Sequence, residues 1–373
     1  MKSSINNQPA NLIGYLSILC FSLSVWISFP LWVDFNSNII RAPRFEILQF
    51  FNTFGWGLPL FFLTYLGIIY GICSPHKKRM LYGLLGMVIL FLADINRLNS
   101  WSYFYLILWL LFYLSESSQT SFLLPFVMFV SLVYIWSGIH KINPHYYYNE
   151  FQWQMGILSI TKPLEHSHLF SKIIPLAEII FGILLWFRRT RIWGVYLLIG
   201  MHLYIILSLL TAKWNYVVIP WNLCMIICLI LIRKESFDLQ KVWTIIPKML
   251  KITLCTVGIL LPALFCIDQI NYGFAFTMYS GRNVYGNILL TPSDARKIDD
   301  KLKSKLIPYD GDYRIDIKEY GYQHYHAPPN YSEYAYKKLF YGLSKNLSDS
   351  SVLIITRCPL FRDSMEYEYV YKE

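Results

Sequence analysis

The stretch LIGYLSILCFSLSVWISFPLW, Leu12–Trp32, is apolar throughout and carries no charged side chain. As an α-helix it would reach about 31 Å, which is enough to cross the hydrocarbon core of a bilayer. It is longer than the apolar part of a typical signal peptide, and no cleavage motif of small residues follows it. We therefore expect this stretch to be retained as a membrane-spanning helix.

The composition of the whole chain is that of a membrane protein. Of the 373 residues, 55% are hydrophobic and 15% are charged, and the mean hydropathy is +0.39. Soluble domains carry about 25% charged residues. The formal net charge is +10, but the basic residues lie in short loops between apolar runs. That placement is typical of a membrane protein and argues against nucleic acid as a partner.

Eight further apolar runs follow the first, so the sequence predicts about nine transmembrane helices. Two of the runs are short enough to be tilted or re-entrant. The predicted fold is an all-α polytopic membrane bundle over residues 1–267, with a small extracytoplasmic α+β or β-rich domain over residues 268–373. The eight runs are Phe54–Cys73, Met80–Ala93, Trp101–Leu114, Phe122–Ile139, Ile173–Phe187, Ile192–Leu210, Tyr216–Ile232 and Ile252–Ile267.

The basic clusters predict the orientation of these spans. They lie at residues 76–79, 188–191 and 233–234 and between residues 241 and 251. Each cluster is an even number of spans from the N-terminus, so all fall on one side, which the positive-inside rule assigns to the cytoplasm. We expect a cytoplasmic N-terminus and, after nine spans, an extracytoplasmic C-terminal domain. The high content of Ile, Asn, Lys and Tyr is typical of an AT-rich bacterial genome. The composition therefore favours a bacterial inner membrane.

The C-terminal domain is predicted to be small and mixed in structure. A short helix is expected over Asp294–Leu306, and strands are expected over Val352–Thr356 and Tyr367–Tyr371. A disulfide between Cys266 and Cys358 would require both thiols to face an oxidising compartment, and the sequence leaves that pairing open.

Polar residues gather at the predicted outer ends of spans three to eight. Because polar groups are costly in a membrane, they are candidates for a functional site. Two of them lie inside apolar runs: His202 near the middle of span seven, and Glu178 in span six. We predict that the candidates line one outward-facing pocket. The other members are Asn96, Arg97, Trp101, His140, Lys141, Trp214, Trp221 and Asn222.

Most of these residues also have a purely structural interpretation. Asp94 and Arg97, three residues apart, could pair with each other. His202 could be a hydrogen-bonded interior histidine, and a structural role for Glu178 beside a nearby base is favoured over a catalytic one. The residues interpreted as solvated or snorkelling are Arg41, Arg44 and Lys213.

The most specific functional hypothesis concerns Lys141. It follows the apolar run Leu132–Ile139. A lysine in an apolar pocket loses the stabilisation of its charge and can act as a neutral base. The alternative, an interfacial lysine that reaches the headgroups, is favoured on sequence alone.

Metal and nucleotide sites are not predicted. His166/His168 and His324/His326 form two H-x-H pairs, but neither has an evident third ligand. The sequence contains no P-loop, no G-x-S-x-G, no GxGxxG and no HExxH motif.

The stretch YIWSGIHKIN, Tyr134–Asn143, resembles the signature of the HTTM family. These horizontally transferred transmembrane domain proteins are related to the membrane domain of vitamin K-dependent γ-carboxylase. Lys141 falls where the carboxylase has its proposed catalytic base. The segments 202–221 and Met278–Gly281 are also similar to the family pattern, and the resemblance covers roughly residues 10–285.

The resemblance implies the bundle fold and a pocket for a quinol or a lipid, in which Lys141 would deprotonate a reduced quinone. It departs at Trp101, which stands where the carboxylase has a histidine, and γ-glutamyl carboxylation does not carry over.

Two functions from different classes therefore follow. One is a carboxylase-like membrane enzyme acting on a quinol or a peptide. The other is a non-catalytic lipid- or quinone-binding subunit, similar to DoxX-like proteins, that assists a redox or export partner. A transporter is less favoured, since no inverted repeat is evident.

Overall fold

The structure is a computed structural model in which a mostly helical chain ends in a small antiparallel sheet. It describes residues 8–33, 39–53, 55–74, 77–115, 119–233, 243, 246–360 and 365–372.

Thirteen α-helices precede the sheet in the described ranges, and two single π-helical turns lie next to three of them. The turns are Tyr146–Glu150, before the eighth helix, and Thr256–Leu260, between the last two. The helices are α1 Gln8–Ile27, α2 Phe29–Trp32, α3 Phe50–Thr53, α4 Gly57–Cys73, α5 Met80–Ala93, α6 Ser100–Leu114, α7 Gln119–His140, α8 Phe151–Ile157, α9 His168–Leu184, α10 Arg191–Ala212, α11 Ile219–Ile232, α12 Lys248–Cys255 and α13 Leu261–Cys266.

Four helical segments of the described chain are long and apolar enough to cross a membrane. A fifth is possible if Glu46–Asn52 and Gly57–Cys73, which are bent by 88° relative to each other, form one broken span. The predicted helical membrane fold is confirmed at this coarser level, while the count of nine spans and their orientation stay predictions. The four segments are Pro9–Ile27, Phe122–His140, Arg191–Ala212 and Lys248–Cys266.

The remaining apolar helices are shorter. Met80–Ala93, Ser100–Leu114 and Tyr216–Ile232 each have fewer than 18 residues. Helix α6 is nevertheless largely buried against the others, whereas α5 buries one face and exposes apolar side chains such as Tyr82 and Leu85 on the other.

Aromatic rings fill the interior between α1 and α6. The ring of Phe21 lies 5.4 Å from that of Trp32, 5.5 Å from Tyr105 and 5.0 Å from Trp109, each edge to face. This arrangement matches the ring quadrupoles and adds to the burial of large apolar surfaces. Trp109 also donates from Nε1 to the Ser17 hydroxyl at 2.9 Å, so its polar edge is satisfied inside the core.

The C-terminal sheet has five antiparallel strands in the order β2-β3-β1-β4-β5. Along β1, every second residue is buried, as expected for a sheet covered on one face. Its strands are β1 Tyr285–Leu290, β2 Ile307–Tyr309, β3 Asp312–Asp316, β4 Val352–Arg357 and β5 Glu366–Tyr371, and its helices are α14 Pro292–Ala295, α15 Asp300–Lys303, α16 Lys318–His324 and α17 Glu333–Leu343.

The predicted strands in the tail are present as β4 and β5, but the single helix predicted over Asp294–Leu306 is wrong. Two short helices, α14 and α15, occupy this segment. The break falls at Asp299, whose side chain accepts a hydrogen bond from the Lys301 amide and starts a new helix. Aspartate favours this capping position because its oxygen satisfies a free amide of the first turn.

Candidate functional site

A buried ion pair between Lys141 and Glu178 lies at the junction of α7 and α9. The Lys141 Nζ is 2.6 Å from each carboxylate oxygen of Glu178 and 3.0 Å from the Ser137 hydroxyl. Lys141 is 5% exposed and Glu178 is 7% exposed. An ammonium has three N–H donors, and these three acceptors account for all of them.

Two glycines allow α7 and α9 to approach closely enough for this pair to form. A β-carbon at Gly138 would lie 2.5 Å from the Pro175 carbonyl oxygen, and one at Gly182 would lie 2.9 Å from the Ser131 carbonyl oxygen. The Ser131 hydroxyl also donates to the Gly182 carbonyl at 2.6 Å. Small residues at helix contacts permit this backbone approach in membrane bundles.

His202 of α10 is held from both sides. Its Nδ1 is 2.7 Å from the Asn222 Oδ1, and its Nε2 is 2.6 Å from the Tyr134 hydroxyl. The Asn222 amide nitrogen donates to the Val218 carbonyl at 2.8 Å, which orients its oxygen toward the histidine. Because that oxygen only accepts, Nδ1 carries the proton, and a neutral imidazole accepts from Tyr134 through Nε2.

The ion pair borders two cavities. One is a small chamber of about 50 Å³, which is also lined by His202, Trp221 and Asn222. The other, of about 380 Å³, lies between α8, α9 and α10 and is mostly apolar. Met201, Ile205 and Tyr279 also line both spaces. The chamber and the larger cavity are therefore adjacent to each other at Lys141 and Glu178.

Two hydrogen-bond donors in the chamber are unused. Among the described residues, the Trp221 Nε1 and the Ser100 hydroxyl are buried and have no hydrogen-bond partner. Both residues line the chamber. An unpaired buried donor costs about 1–3 kcal/mol, so the chamber is suited to a group that accepts hydrogen bonds.

Five of the predicted site residues therefore surround one chamber. They are Lys141, Glu178, His202, Trp221 and Asn222.

Trp101 and Trp214, also predicted, line a third cavity of about 60 Å³ next to this chamber. Trp101 additionally packs against Phe21 and Trp32 in the aromatic core. Ser100, Met278 and Tyr279 are common to the chamber and the third cavity.

Asn96 and Arg97 lie elsewhere, and placing them in the pocket with Lys141 was wrong. Arg97 donates to the carbonyls of Leu31 and Leu90 at 2.9 and 3.1 Å. The Asn96 oxygen accepts from the amide of Asn330, in the C-terminal domain, at 3.0 Å. These two side chains hold backbone segments together, which explains their burial.

Arg41 and Asp94 lie next to Asn96 and Arg97 and also connect backbone segments. The Arg41 guanidinium is 3.0 Å from the Asp94 carboxylate, and both side chains are buried. Arg41 also donates to the carbonyls of Leu31 and Pro30. The interpretation of Arg41 as a solvated or snorkelling residue is therefore wrong.

His140 lies beside Lys141 in sequence but lines neither of the two cavities. Its Nδ1 is 3.4 Å from an Arg282 nitrogen, and its ring packs edge to face on Phe265. Arg282 in turn pairs with Asp268 at 2.6 Å. His140 therefore belongs to the contact between α7 and the segment after α13.

Sequence reasoning missed Tyr134, Ser137 and Tyr279. Ser137 is one helical turn before Lys141, a spacing that could have identified it as a partner. Tyr134 and Tyr279 gave no such signal, because aromatic residues are abundant throughout the chain. Tyr279 reaches the site from a turn after α13, with a left-handed φ of 55°.

The cysteines and H-x-H pairs form no metal site in the described part of the chain, where no group of three or more potential ligands is found. His166 is exposed on the turn before α9, and His168 is exposed at the start of α9. All seven cysteines are free thiols, so the structure contains no disulfide between Cys266 and Cys358.

The fold and the apolar helices define a multi-pass membrane protein. Residues 119–232, which extend from α7 to α11 and include the five predicted site residues that line the Lys141 chamber, match the family model described as Methylamine utilisation protein MauE. No curated protein and no solved structure matches the chain.

This match corrects the family resemblance inferred from short motifs. The matching model is MauE, a membrane protein family, and the assignment to the HTTM family was wrong. The motif around Lys141 is short and aromatic, and such patterns recur at the ends of membrane helices. The carboxylase-like chemistry that the resemblance implied therefore loses its basis.

Proposed function

We propose that this protein is a non-catalytic membrane subunit that binds an amphiphilic molecule of the quinone class. The ligand's apolar body occupies the cavity between α8, α9 and α10, and its carbonyl head lies in the chamber beside Lys141. The observation that carries the proposal is the Lys141–Glu178 ion pair, which borders both spaces.

The larger cavity has the size and lining of a ligand site. Its volume of about 380 Å³ falls in the range of about 300–1,000 Å³ that is typical of small-molecule pockets. Such pockets are mostly apolar with a few placed polar groups, and here Lys141 and Glu178 are the charged residues of the lining.

The chamber supplies what a carbonyl oxygen needs. The unpaired donors of Ser100 and Trp221 match an acceptor, and the positive charge of the neighbouring ammonium attracts the partial negative charge of a carbonyl oxygen. A quinone offers carbonyl acceptors on an otherwise apolar ring.

A binding role is favoured over the predicted role of Lys141 as a base. A base needs a free lone pair near its substrate, whereas three acceptors engage the Lys141 Nζ. His202 is likewise held by Tyr134 and Asn222. Both groups are better suited to fixing the shape and charge of a site than to moving protons.

The free energy needed to bury the two charges of the ion pair supports a functional role for the pair. Burying two charges is expensive, and replacing such a pair by apolar residues is often neutral or stabilising. Charged residues inside membrane helices are accordingly rare and commonly functional.

The test is to purify the protein and identify co-extracted quinones and lipids by mass spectrometry, comparing wild type with Lys141→Ala. We expect bound quinone in the wild type and several-fold less in the variant. Ser100→Ala serves as a second variant if Lys141→Ala does not fold. Absence of quinone from the wild type, or equal quinone in all three proteins, would contradict the proposal.

A further inference from the structure

The third cavity, of about 60 Å³, lies between the bundle and the C-terminal sheet domain and is walled by aromatic rings. Six aromatic side chains line it, and they come from both the bundle and the domain. Ring faces carry partial negative charge and attract cations. The six residues are Trp101, Trp214, Tyr272, Tyr279, Tyr285 and Tyr331.

Two buried amide oxygens at this cavity lack donors. Asn215 is 7% exposed, and its Nδ2 donates to the Tyr279 hydroxyl at 3.2 Å. Its Oδ1 has no hydrogen-bond partner within the described ranges, and neither has the Oδ1 of Asn283. Both residues line the cavity. Unsatisfied buried acceptors favour a ligand that brings N–H or O–H groups.

The charges at the cavity also favour a cation. The Glu150 carboxylate lines it, accepts from the Tyr285 hydroxyl at 2.9 Å, and forms no ion pair with any described residue. Lys318 lines the cavity as well; its ammonium pairs with Asp316 at 3.1 Å and lies 5.1 Å from the centroid of the Tyr285 ring. Burial raises the pKa of Tyr279 and of Tyr285, so both phenols stay neutral.

We propose that this cavity binds a primary ammonium group, which donates its three N–H groups to Glu150, Asn215 and Asn283 and lies against the aromatic rings. The site is separate from the proposed quinone site, although Ser100, Met278 and Tyr279 border both the cavity and the Lys141 chamber. The ammonium can come from a small free amine or from the ethanolamine headgroup of a phospholipid.

The acceptors distinguish a primary from a quaternary ammonium. A quaternary ammonium gains from the aromatic rings and from the charge of Glu150, but it has no N–H to donate to Asn215 and Asn283. The site should therefore prefer methylammonium to tetramethylammonium, whereas a cage of rings alone would accept both.

The experiment uses the full-length protein in nanodiscs of phosphatidylcholine, titrated calorimetrically with methylammonium chloride and with tetramethylammonium chloride. We expect saturable binding of methylammonium and at least about tenfold weaker binding of tetramethylammonium, the effect of losing one or more charge-assisted hydrogen bonds. Repeating the titration in phosphatidylethanolamine nanodiscs separates the two sources. If the site takes the lipid headgroup, the lipid competes with methylammonium and weakens its apparent binding. If the site takes a free amine, the affinity for methylammonium is the same in both lipids.

Two variants test the assignment of the residues. Glu150→Gln keeps the shape and removes the charge, so it should weaken methylammonium binding at least about tenfold. Asn215→Asp adds a charge at a residue with φ of 50°, a conformation that aspartate tolerates, and it should strengthen binding. Glu46→Gln, at a side chain that is 89% exposed, is the matched control. No saturable binding, or equal affinity in Glu150→Gln and Glu46→Gln, would overturn the proposal.

Discussion

At the scale of single residues, the molecule keeps two opposite charges inside a helical bundle and gives each a close partner. The Lys141 ammonium and the Glu178 carboxylate neutralise each other, and Ser137 takes up the third ammonium donor. Both were identifiable from sequence, because a lysine and a glutamate in or beside apolar runs are conspicuous. Their pairing was not, since nothing in the sequence specifies that Gly138 and Gly182 bring α7 and α9 together.

Removing one member of this pair should cost far more stability than removing both. Lys141→Met or Glu178→Leu leaves an unpaired buried charge, and each should lower the free energy of unfolding by about 3–5 kcal/mol. The double variant should recover most of that loss, because an apolar pair needs no solvation. Thermal unfolding of the four purified proteins measures the effect, and additive losses in the double variant would show that the two charges do not interact.

At the scale of elements, helix contacts rather than helix propensities position the site. The sequence predicted the apolar segments well, because their composition alone marks them. It predicted the short lengths of α5 and α6, but it could not predict that α6 would be largely buried, or that His202 would lie between Tyr134 of α7 and Asn222 of α11. Those contacts depend on which faces of the helices meet, and one apolar face resembles another.

The close contact of α7 and α9 can be tested at Gly138. An alanine there would bring its β-carbon to 2.5 Å from the Pro175 carbonyl oxygen, so the helices must separate. We expect Gly138→Ala to lower the melting temperature and to reduce ligand retention. Gly200→Ala on α10 is the matched control, since its β-carbon would meet nothing within 4 Å. That change should be neutral or stabilise by roughly 0.5–1 kcal/mol. Equal melting temperatures for the two variants would contradict this account of the packing.

At the scale of the whole molecule, the sheet domain is joined to the bundle by buried polar contacts. The backbone amide of Asn330 donates to the side-chain oxygen of Asn96 at 3.0 Å, and the Asn330 side-chain nitrogen donates to the Leu98 carbonyl at 2.6 Å. Asn271 contacts the Asn330 side chain as well, at 2.6 Å. The sequence predicted a polar tail domain but assigned Asn96 and Arg97 to the pocket, because polarity at a helix end does not reveal whether a residue meets a ligand or another domain.

The central claim is that the chamber beside Lys141 holds the carbonyl head of a quinone, and equilibrium titration tests it most directly. The purified wild-type protein and the variant Trp221→Phe are each titrated with a short-chain quinone. The Trp221→Phe change removes an unpaired donor of the chamber and keeps an aromatic ring. Trp193→Phe, the same change at a side chain that is 66% exposed on α10, is the control. We predict wild-type affinity for Trp193→Phe and about five- to tenfold weaker binding for Trp221→Phe, the effect of one lost hydrogen bond. No saturable binding by the wild type, or equal affinity in the two variants, would contradict the claim.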